Sequence, residues 1–203
     1  MKISTGLLRR LPLYLRYLQS LPEETANVSA TTIANALGLG DVQVRKDLGA
    51  VSGKGRPKTG YDRLLLIETL HDFLGYNKTK NAVIFGAGKL GNALMSYSGF
   101  DDYGLRIVAA FDVKNIGMSS SGKPVYPLES FPAFCKQQKI EIGIITVPQS
   151  AAQDVCDMIT DNGIKAIWNF APAQLCVPSD VIIHEENMAA SLAVLSKQLE
   201  NLS

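Results

Sequence analysis

The chain contains little cysteine and histidine, three and two residues respectively among 203. Cys135, Cys156 and Cys176 are widely spaced, form no Cys-x-x-Cys motif and have no histidine nearby. This pattern argues against a disulfide framework and against a zinc site. We therefore expect three reduced, buried thiols and no metal.

Long apolar runs are also missing. No stretch reaches the roughly eighteen consecutive apolar residues that suggest a membrane-spanning helix. The first twenty residues are interrupted by Arg9, Arg10 and Pro12 and lack the apolar region and cleavage site of a signal peptide. With 46% hydrophobic and 19% charged residues, the sequence predicts a globular cytoplasmic protein of one or two domains without a membrane partner.

The net charge of +1 conceals an asymmetry between the two parts of the chain. Residues 1–80 carry twelve Lys and Arg against seven Asp and Glu, whereas residues 81–203 carry eight against twelve. A basic module next to an acidic one indicates that the first part binds nucleic acid.

Three short helices are predicted in the basic part. Leucines recur at three- and four-residue steps over residues 3–21, but Pro12 interrupts the pattern, so we expect a short turn and then a helix that begins near Pro12. A second helix is predicted over residues 28–38 and a third over residues 42–48, with Asp41 as its cap. Two short helices around a glycine-containing turn are typical of a helix-turn-helix motif.

The last of these helices carries the side chains expected to read DNA. In a helix-turn-helix motif the second helix enters the major groove, which makes Gln43, Arg45 and Lys46 the candidate contacts. The candidates for packing onto the domain are Val42, Val44 and Leu48, although Val42 and Val44 cannot both face directly inward. At this point an ordinary three-helix bundle with a charged solvent face remains the alternative.

Residues 52–61 combine three glycines, a proline and three cations. Such a segment suits a β-hairpin wing whose cations contact the DNA backbone. The predicted contacts are Lys54, Arg56 and Lys58, with Tyr61 at the end of the wing. A loop that is basic without binding DNA is the alternative. A closing helix over residues 64–75 and a polar linker over residues 76–80 follow.

A glycine motif follows the first apolar run of the acidic part. Residues 82–85 lead into Gly86-x-Gly88-x-x-Gly91, and a second apolar run ends on Asp112. This order is typical of a strand, turn, helix and strand unit that binds a dinucleotide. Its glycines permit a tight turn, the close approach of a pyrophosphate and the packing of the helix on the strand, in that order. The acid at the end of the second strand accepts hydrogen bonds from the adenosine ribose. The acid favours NAD(H) over NADP(H). The predicted contacts are Gly86, Ala87, Gly88, Lys89, Leu90, Gly91, Asp112 and Val113.

Strands and helices continue to alternate after Asp112. Strands are predicted over residues 123–126, 140–147, 165–168 and 181–184, with helices over residues 128–138 and 150–162. This α/β pattern predicts a parallel sheet of the Rossmann type whose ligand lies at the carboxyl ends of the strands. The loops expected to line the far half of the site supply Thr146, Val147, Pro148, Asn169, Phe170 and Ala171.

The C-terminal segment places Met188, Leu192, Leu195, Leu199 and Leu202 on one helical seam. Such a seam must pack against something, and its own domain and a partner subunit are both open at this stage. The predicted organisation is a winged-helix domain with linker over residues 1–80, a nucleotide-binding domain over residues 81–186 and a terminal helix over residues 187–203.

Taken together, these segments resemble the Rex family of redox-sensing transcriptional repressors over essentially the whole chain. The motifs that carry the resemblance are residues 11–18, 43–48, 86–91, 97–100, 107–112, 146–148 and 169–172. The resemblance implies a homodimer on two-fold symmetric operator DNA, with the C-terminal helix exchanged between subunits. It also implies that NAD⁺ permits DNA binding and that NADH abolishes it.

The resemblance further identifies Arg16 and Tyr97 with the family's interdomain switch. Ala189 stands where the family usually has an aspartate that contacts both of these residues in turn. The resemblance therefore implies that the coupling between NADH and DNA differs in this chain.

Two other functions compete with this interpretation. An NAD-dependent dehydrogenase or a CoA-binding ligase-type domain would need a proton donor or nucleophile at the cofactor. His184 and the pair Tyr76 and Lys80 are poor candidates because of their positions. The third hypothesis is a DNA-binding regulator that senses another adenine nucleotide, such as ATP or CoA.

Overall fold

The structure is a computed structural model that describes residues 3–201. The chain divides into two compact units, Met1–Lys78 and Thr79–Ser203, hereafter the N-terminal and C-terminal units. Within residues 3–201 no helix is long and apolar enough to cross a membrane. The same residues contain no group of three or more His, Cys, Asp or Glu that could hold a metal ion.

The N-terminal unit is a winged-helix fold. Its core is formed by buried side chains of its helices, among them Leu11, Leu18, Ile33 and Leu66. The two short strands pair antiparallel. The elements are α1 (Thr5–Ser20), β1 (Asn27–Val28), α2 (Ala30–Leu37), α3 (Asp41–Ser52), β2 (Tyr61–Asp62) and α4 (Arg63–Leu74).

Helix α1 is continuous through Pro12, so the predicted break was wrong. The helix begins after Ser4, whose side chain accepts a hydrogen bond from the Leu7 N–H. Buried residues lie on both sides of the proline, including Leu11 and Leu15. Packing this continuous apolar face outweighs the loss of one backbone hydrogen bond at Pro12.

The predicted helix over residues 28–38 is confirmed as α2, with Ser29 as its cap and Gly38 in the left-handed conformation at its end (φ +63°). Helix α3 differs from its prediction in two ways. It continues to Ser52, and Gly40 occupies the cap position without a side-chain bond. Asp41 lies in the first helical turn instead, where its negative charge interacts favourably with the positive end of the helix dipole.

The C-terminal unit contains one seven-stranded sheet with helices around it. Its elements are β3 (Lys80–Phe85), α5 (Lys89–Ser96), β4 (Leu105–Asp112), β5 (Gly117–Met118), β6 (Pro124–Pro127), α6 (Phe131–Gln137), β7 (Ile142–Ile145), α7 (Gln149–Asp161), β8 (Ala166–Asn169), β9 (Ile182–Glu185) and α8 (Met188–Glu200). Short 3₁₀ helices cover Ser98–Tyr103 and Leu128–Ser130.

The strand order is β5-β6-β4-β3-β7-β8-β9, and every neighbouring pair is parallel except β5 and β6. This order from β6 to β9 is that of a Rossmann fold, so the predicted architecture is confirmed. Strands β4 and β6 follow β3 toward one edge of the sheet, whereas β7, β8 and β9 lie toward the other edge. Because the strand order reverses between β3 and β7, a crevice opens at the carboxyl ends of these two strands. Strand β5 was not predicted, because two residues carry no detectable period.

The prediction of three buried thiols holds only in part. Cys156 is buried and Cys135 is half-buried, whereas Cys176 is exposed. Burial, followed by the nearby Asp157, raises the pKa of Cys156 to about 11. Cys176 lies in a surface segment whose backbone is hydrogen-bonded to the side-chain amide of Gln153 on α7. A surface position is normal for such an irregular segment.

A buried carboxylate joins α1 to α3. The Asp47 side chain, in a residue only 5% exposed, accepts hydrogen bonds from Arg10 Nε (2.6 Å) and Nη2 (2.9 Å), from the Tyr14 hydroxyl (2.7 Å) and from Gln43 Nε2 (2.8 Å). Burial alone would raise the pKa of Asp47, but the donors from Arg10, Tyr14 and Gln43 bring it below its usual value. Burial and the adjacent carboxylate raise the pKa of Tyr14.

Asp47→Ala should lower the free energy of unfolding by about 2–4 kcal/mol, because it leaves Arg10 and Tyr14 without their acceptor inside the unit. Denaturant titration followed by circular dichroism measures this loss. Asp41→Ala is the matched control, since Asp41 pairs with Arg45 at the surface and such pairs contribute little. Equal losses in the two variants would contradict the assigned importance of Asp47.

The same carboxylate should also make stability depend on acid. Since the pKa of Asp47 is lowered in the folded state, its contribution is present above the unfolded value of about 3.9 and disappears as pH falls through the folded value. Unfolding experiments between pH 7 and pH 3 should show a smaller acid-induced loss for Asp47→Asn than for the unsubstituted chain. Parallel curves would rule out this assignment.

Candidate nucleic-acid interface and dinucleotide cavity

One face of α3 is free of core contacts and carries cations. Val42, Arg45, Lys46 and Gly49 follow the i, i+3, i+4, i+7 spacing of a single helical face and line one groove. Of the two valines that could not both face directly inward, Val42 is the exposed one, at 64%. Val44 is fully buried, and a residue two positions earlier on a helix points about 200° away from it.

Gln43 lies on a different face of α3 from the two cations. Its amide donates to Asp47, as described above, and it is absent from the lining of the groove. The structure therefore brings Arg45 and Lys46 together in the groove but leaves Gln43 outside it. The hydrogen bond from Gln43 supports the buried Asp47 carboxylate that holds α3 against α1.

A wing forms the opposite side of the groove. Arg56 and Gly60 exchange backbone hydrogen bonds of 2.7 and 2.9 Å across a tight loop. Gly60 has φ +80°, and a Cβ there would lie 2.4 Å from the Val28 carbonyl oxygen, so only glycine fits. Lys58 at the tip also has a positive φ of +69°. The groove has a volume of about 890 Å³, and its lining includes Lys54, Arg56, Lys58 and Tyr61.

An ion pair with Asp41 orients the Arg45 side chain at the surface of α3. Its Nη2 lies 2.7 Å from Asp41 Oδ2, with both side chains substantially exposed, and Asp41 Oδ1 also accepts from Thr31. Exposed ion pairs of this kind contribute roughly 0–1 kcal/mol. Exchanging Asp41 for a base edge or a phosphate therefore costs Arg45 little.

The crevice of the C-terminal unit opens at the carboxyl ends of β3, β4, β7 and β8. Its volume is about 540 Å³, within the range of small-molecule sites. The lining residues are Gly86, Gly88, Phe111, Asp112, Val113, Asn115, Leu128, Thr146, Val147, Pro148, Ala151, Val155, Phe170 and Pro172.

The three glycines of the motif differ in what surrounds them. Gly86 has φ +98°, which permits the turn after β3. A Cβ on Gly91 would lie 1.9 Å from the Gly86 carbonyl oxygen, so α5 packs on the turn only with glycine there. A Cβ on Gly88 would meet nothing within 4 Å, which leaves open space at the N-terminus of α5. That space and the free N–H groups of the helix fit a pyrophosphate.

Asp112 is fixed at the end of β4 by backbone donors. Its Oδ2 accepts from the Ala87 N–H (2.6 Å), and its Oδ1 accepts from the N–H groups of Lys114 (2.7 Å) and Asn115 (2.9 Å). Burial works to raise the pKa of this carboxyl, but these N–H groups lower it below its usual value. Each carboxylate oxygen has two lone pairs, so Oδ2 retains capacity for a ribose hydroxyl.

Two predicted contacts shape the cavity from behind. The Thr146 hydroxyl bridges the Phe85 and Gly86 carbonyl oxygens at 3.0 and 2.8 Å, which ties the end of β7 to the glycine turn. Asn169 is almost fully buried. Its amide donates to Ala171 and Ala173 and accepts from the Ala171 N–H, which fixes the loop after β8.

Part of the predicted dinucleotide set lies outside the cavity lining, namely Ala87, Lys89, Leu90, Gly91, Asn169 and Ala171. Residues that line the cavity without having been predicted as contacts include Asn115, Leu128 and Val155. A usable signal for Asn115 was Asp112 itself, because an Asp side chain favours a turn by accepting hydrogen bonds from the backbone N–H groups that follow it. Leu128 and Val155 carried no signal besides apolarity.

The two predicted switch residues lie in different units. Arg16 is exposed on α1 of the N-terminal unit. Tyr97 follows α5 in the C-terminal unit, is 53% exposed, and packs edge-on against Phe100 with a centroid distance of 4.9 Å. A Cβ on Gly99 would lie 2.5 Å from the Tyr97 hydroxyl, so glycine makes room for this ring.

Family models match both parts of the chain. A putative DNA-binding protein N-terminus model matches residues 2–49, and a CoA-binding domain model matches residues 77–173. The first covers α1, α2 and most of α3, and the second covers the crevice and most of the sheet.

Curated and solved relatives match almost the full length. The redox-sensing transcriptional repressor Rex of Bacteroides thetaiotaomicron is 39% identical, over 98% of this chain and 91% of the relative. The crystal structure of RSP, a Rex-family repressor, in complex with NAD⁺ and operator DNA matches with a TM-score of 0.92 and 35% identity, over 99% of this chain and 94% of that one. RSP in complex with NADH matches with a TM-score of 0.88, 34% identity and coverages of 99% and 96%. The chain therefore belongs to the Rex family of redox-sensing transcriptional repressors.

Proposed function

We propose that this repressor binds operator DNA through its N-terminal unit and NAD(H) through the crevice of its C-terminal unit, and that NADH releases it from DNA. The observation that carries the proposal is the coexistence of a cationic helix-and-wing groove and a glycine-motif crevice in one chain. The RSP complexes with NAD⁺ and operator DNA and with NADH support both ligands. Such a regulator works in the cytoplasm, where its DNA and its nucleotide are both present.

The proposed DNA contacts fall into two kinds. Arg45 and Lys46 reach into the major groove from α3, where arginine can read guanine bidentately. Lys54, Arg56 and Lys58 on the wing neutralise phosphates, and Tyr61 lies at the base of the wing. Gln43 takes part only if its amide leaves Asp47.

We further propose a homodimer whose C-terminal helices are exchanged. Residues 188–201 are exposed within the single chain. Met188, Leu192, Val194 and Leu195 are each about 60% exposed, on a helix whose apolar face needs a partner. Leu202, the last residue of the predicted seam, lies outside the described residues. A second copy of the chain would cover this face and form a dimer with two-fold symmetry, which matches an operator with two half-sites.

The crevice fits an NAD(H) molecule in three respects. The open space at Gly88 and the N–H groups of α5 suit the pyrophosphate, and Asp112 Oδ2 suits the adenosine ribose. Thr146, Val147, Pro148 and Phe170 lie toward the nicotinamide half. The ionised Asp112 repels a 2′-phosphate and so favours NAD(H) over NADP(H).

Release of DNA requires that NADH prefers one arrangement of the dimer. Moving a two-state equilibrium from 1:99 to 99:1 takes roughly 5.5 kcal/mol of differential affinity. Arg16 and Tyr97 are the proposed contacts of the interdomain switch. Ala189, at the start of α8, has no carboxylate to offer either of them.

The decisive test is a gel-shift titration of the full chain with DNA from upstream of its own gene, in the absence of nucleotide, with NAD⁺ and with NADH. We expect binding to persist with NAD⁺ and to be lost at a much lower concentration of NADH. ATP and CoA serve as comparison ligands. Binding that is indifferent to NADH, or that responds to ATP or CoA instead, would refute the proposed effector.

Arg45→Ala should weaken operator binding by about 1–3 kcal/mol, or roughly five- to 150-fold, because it removes a base-reading guanidinium. Fluorescence anisotropy with labelled operator measures the affinity. Lys139→Ala, which removes an exposed cation of the C-terminal unit, is the charge-matched control and should have little effect. A comparable loss in both variants would mean that binding depends on overall charge rather than on α3.

Asp112→Ala should raise the Kd for NADH about tenfold or more, because a charge-assisted hydrogen bond contributes about 1.5–3 kcal/mol. NADPH binding should suffer less, since the repulsion of its 2′-phosphate is also removed. Calorimetric titration of both nucleotides gives the ratio of affinities. Asp101→Ala, in the 3₁₀ helix of the same unit, is the control. An unchanged preference for NADH over NADPH would contradict the role of Asp112.

A further inference from the structure

A second cavity adjoins the proposed dinucleotide cavity within the C-terminal unit. It has a volume of about 760 Å³ and lies between the segment after β8 and the junction of β9 with α8. Phe170 and Pro172 line both cavities, so these residues form a wall that the two spaces share. The second cavity contains two carboxylates, those of Glu185 and Glu186.

Glu186 is fixed next to the shared wall. Its Oε1 accepts a hydrogen bond of 3.0 Å from Trp168 Nε1, and the Trp168 ring packs against Phe170 with a centroid distance of 4.8 Å. Its backbone N–H donates to the Asn169 carbonyl oxygen at 2.8 Å. His184 Nε2 lies 3.3 Å from the same Oε1. The carboxylate is therefore held one ring away from Phe170 while 38% of the side chain stays exposed.

This wall bounds the part of the crevice that is left for the reactive end of a dinucleotide. The step rests on the proposed function: with the ribose at Asp112 and the pyrophosphate at Gly88, the lining residues that remain for the nicotinamide half include Phe170 and Pro172. NAD⁺ and NADH differ at that end by one positive charge on the ring. A nearby carboxylate attracts the oxidised ring and has no comparable attraction for the reduced one.

We infer that Glu185 and Glu186 set the ratio of the affinities for NAD⁺ and NADH. Their negative charge stabilises bound NAD⁺ selectively and so raises the NADH/NAD⁺ ratio at which the repressor leaves DNA. A ligand shifts a conformational equilibrium only if its affinities for the two states differ. Glu185 and Glu186 raise the affinity for NAD⁺, which competes with NADH and is bound when the repressor is on DNA.

The test is calorimetric titration of the full chain with NAD⁺ and with NADH, for Glu185→Gln, Glu186→Gln and the double variant. Glutamine keeps an acceptor for the Trp168 indole and removes only the charge. Each single variant should weaken NAD⁺ binding by about two- to tenfold, as expected for a partly solvated charge pair, and change NADH binding by less than about twofold. The NAD⁺ effect should shrink as salt is added.

Glu141→Gln is the matched control, because Glu141 precedes β7 at the opposite end of the strand and pairs with Lys139. It removes the same charge and should leave both affinities unchanged. Equal losses for NAD⁺ and NADH, or no loss for either, would overturn the inference.

Failure of the proposed function is separable from failure of this inference. If the unsubstituted chain binds both nucleotides but NADH does not release DNA, the proposed function fails while the affinity ratio still decides the role of Glu185 and Glu186. If it binds neither nucleotide, both fail.

Discussion

The buried carboxylate of Asp47 is the interaction on which the N-terminal unit depends. It lies on α3, yet three of the four hydrogen bonds it accepts come from Arg10 and Tyr14 on α1. An ion inside a small helical unit is costly unless its lone pairs are all used, and here they are. These hydrogen bonds offset the desolvation of the carboxylate, and they also fix the placement of α3, because only one rotation of α3 brings Asp47 to these donors. That rotation turns Arg45 and Lys46 outward to the groove.

The C-terminal unit is organised by close backbone contact instead. Gly91 lets α5 touch the turn at Gly86, and the Thr146 hydroxyl joins that turn to the end of β7. The crevice is thus rigid where a pyrophosphate needs fixed N–H donors, and Asp112 is itself held by backbone N–H groups of the neighbouring loops. Because this part of the crevice would hold the pyrophosphate and the ribose of NAD⁺ and NADH alike, we infer that the two ligands are distinguished at the wall formed by Phe170 and Pro172.

Much of this arrangement was predictable from the sequence, and the exceptions have physical causes. The spacing of Gly86, Gly88, Gly91 and Asp112 predicts a Rossmann unit because each position has a steric requirement that no other residue type meets. Pro12 is one exception, since the local tendency of proline to interrupt a helix gave way to the packing of α1. Val42 was ambiguous by periodicity alone, because period fixes which residues share a face but not which face is buried.

The contacts of Asp47 and the cavity at Glu185 and Glu186 were beyond sequence reasoning for another reason. Arg10 and Asp47 are thirty-seven positions apart, and the pairing depends on how α1 crosses α3. Likewise, Phe170 and Glu186 become neighbours only through the parallel pairing of β8 with β9. Sequence patterns report on single elements, whereas these sites arise where two elements meet.

The position of Trp168 gives the molecule an optical consequence. It is the one tryptophan of the chain, and its ring rests on Phe170 at the end of the crevice. A dihydronicotinamide ring absorbs light in the region where indole emits, whereas the oxidised ring does not. With a nucleotide bound in the crevice as proposed, the reduced form and not the oxidised form would quench the emission of Trp168 by resonance energy transfer, so no attached dye would be needed to distinguish them.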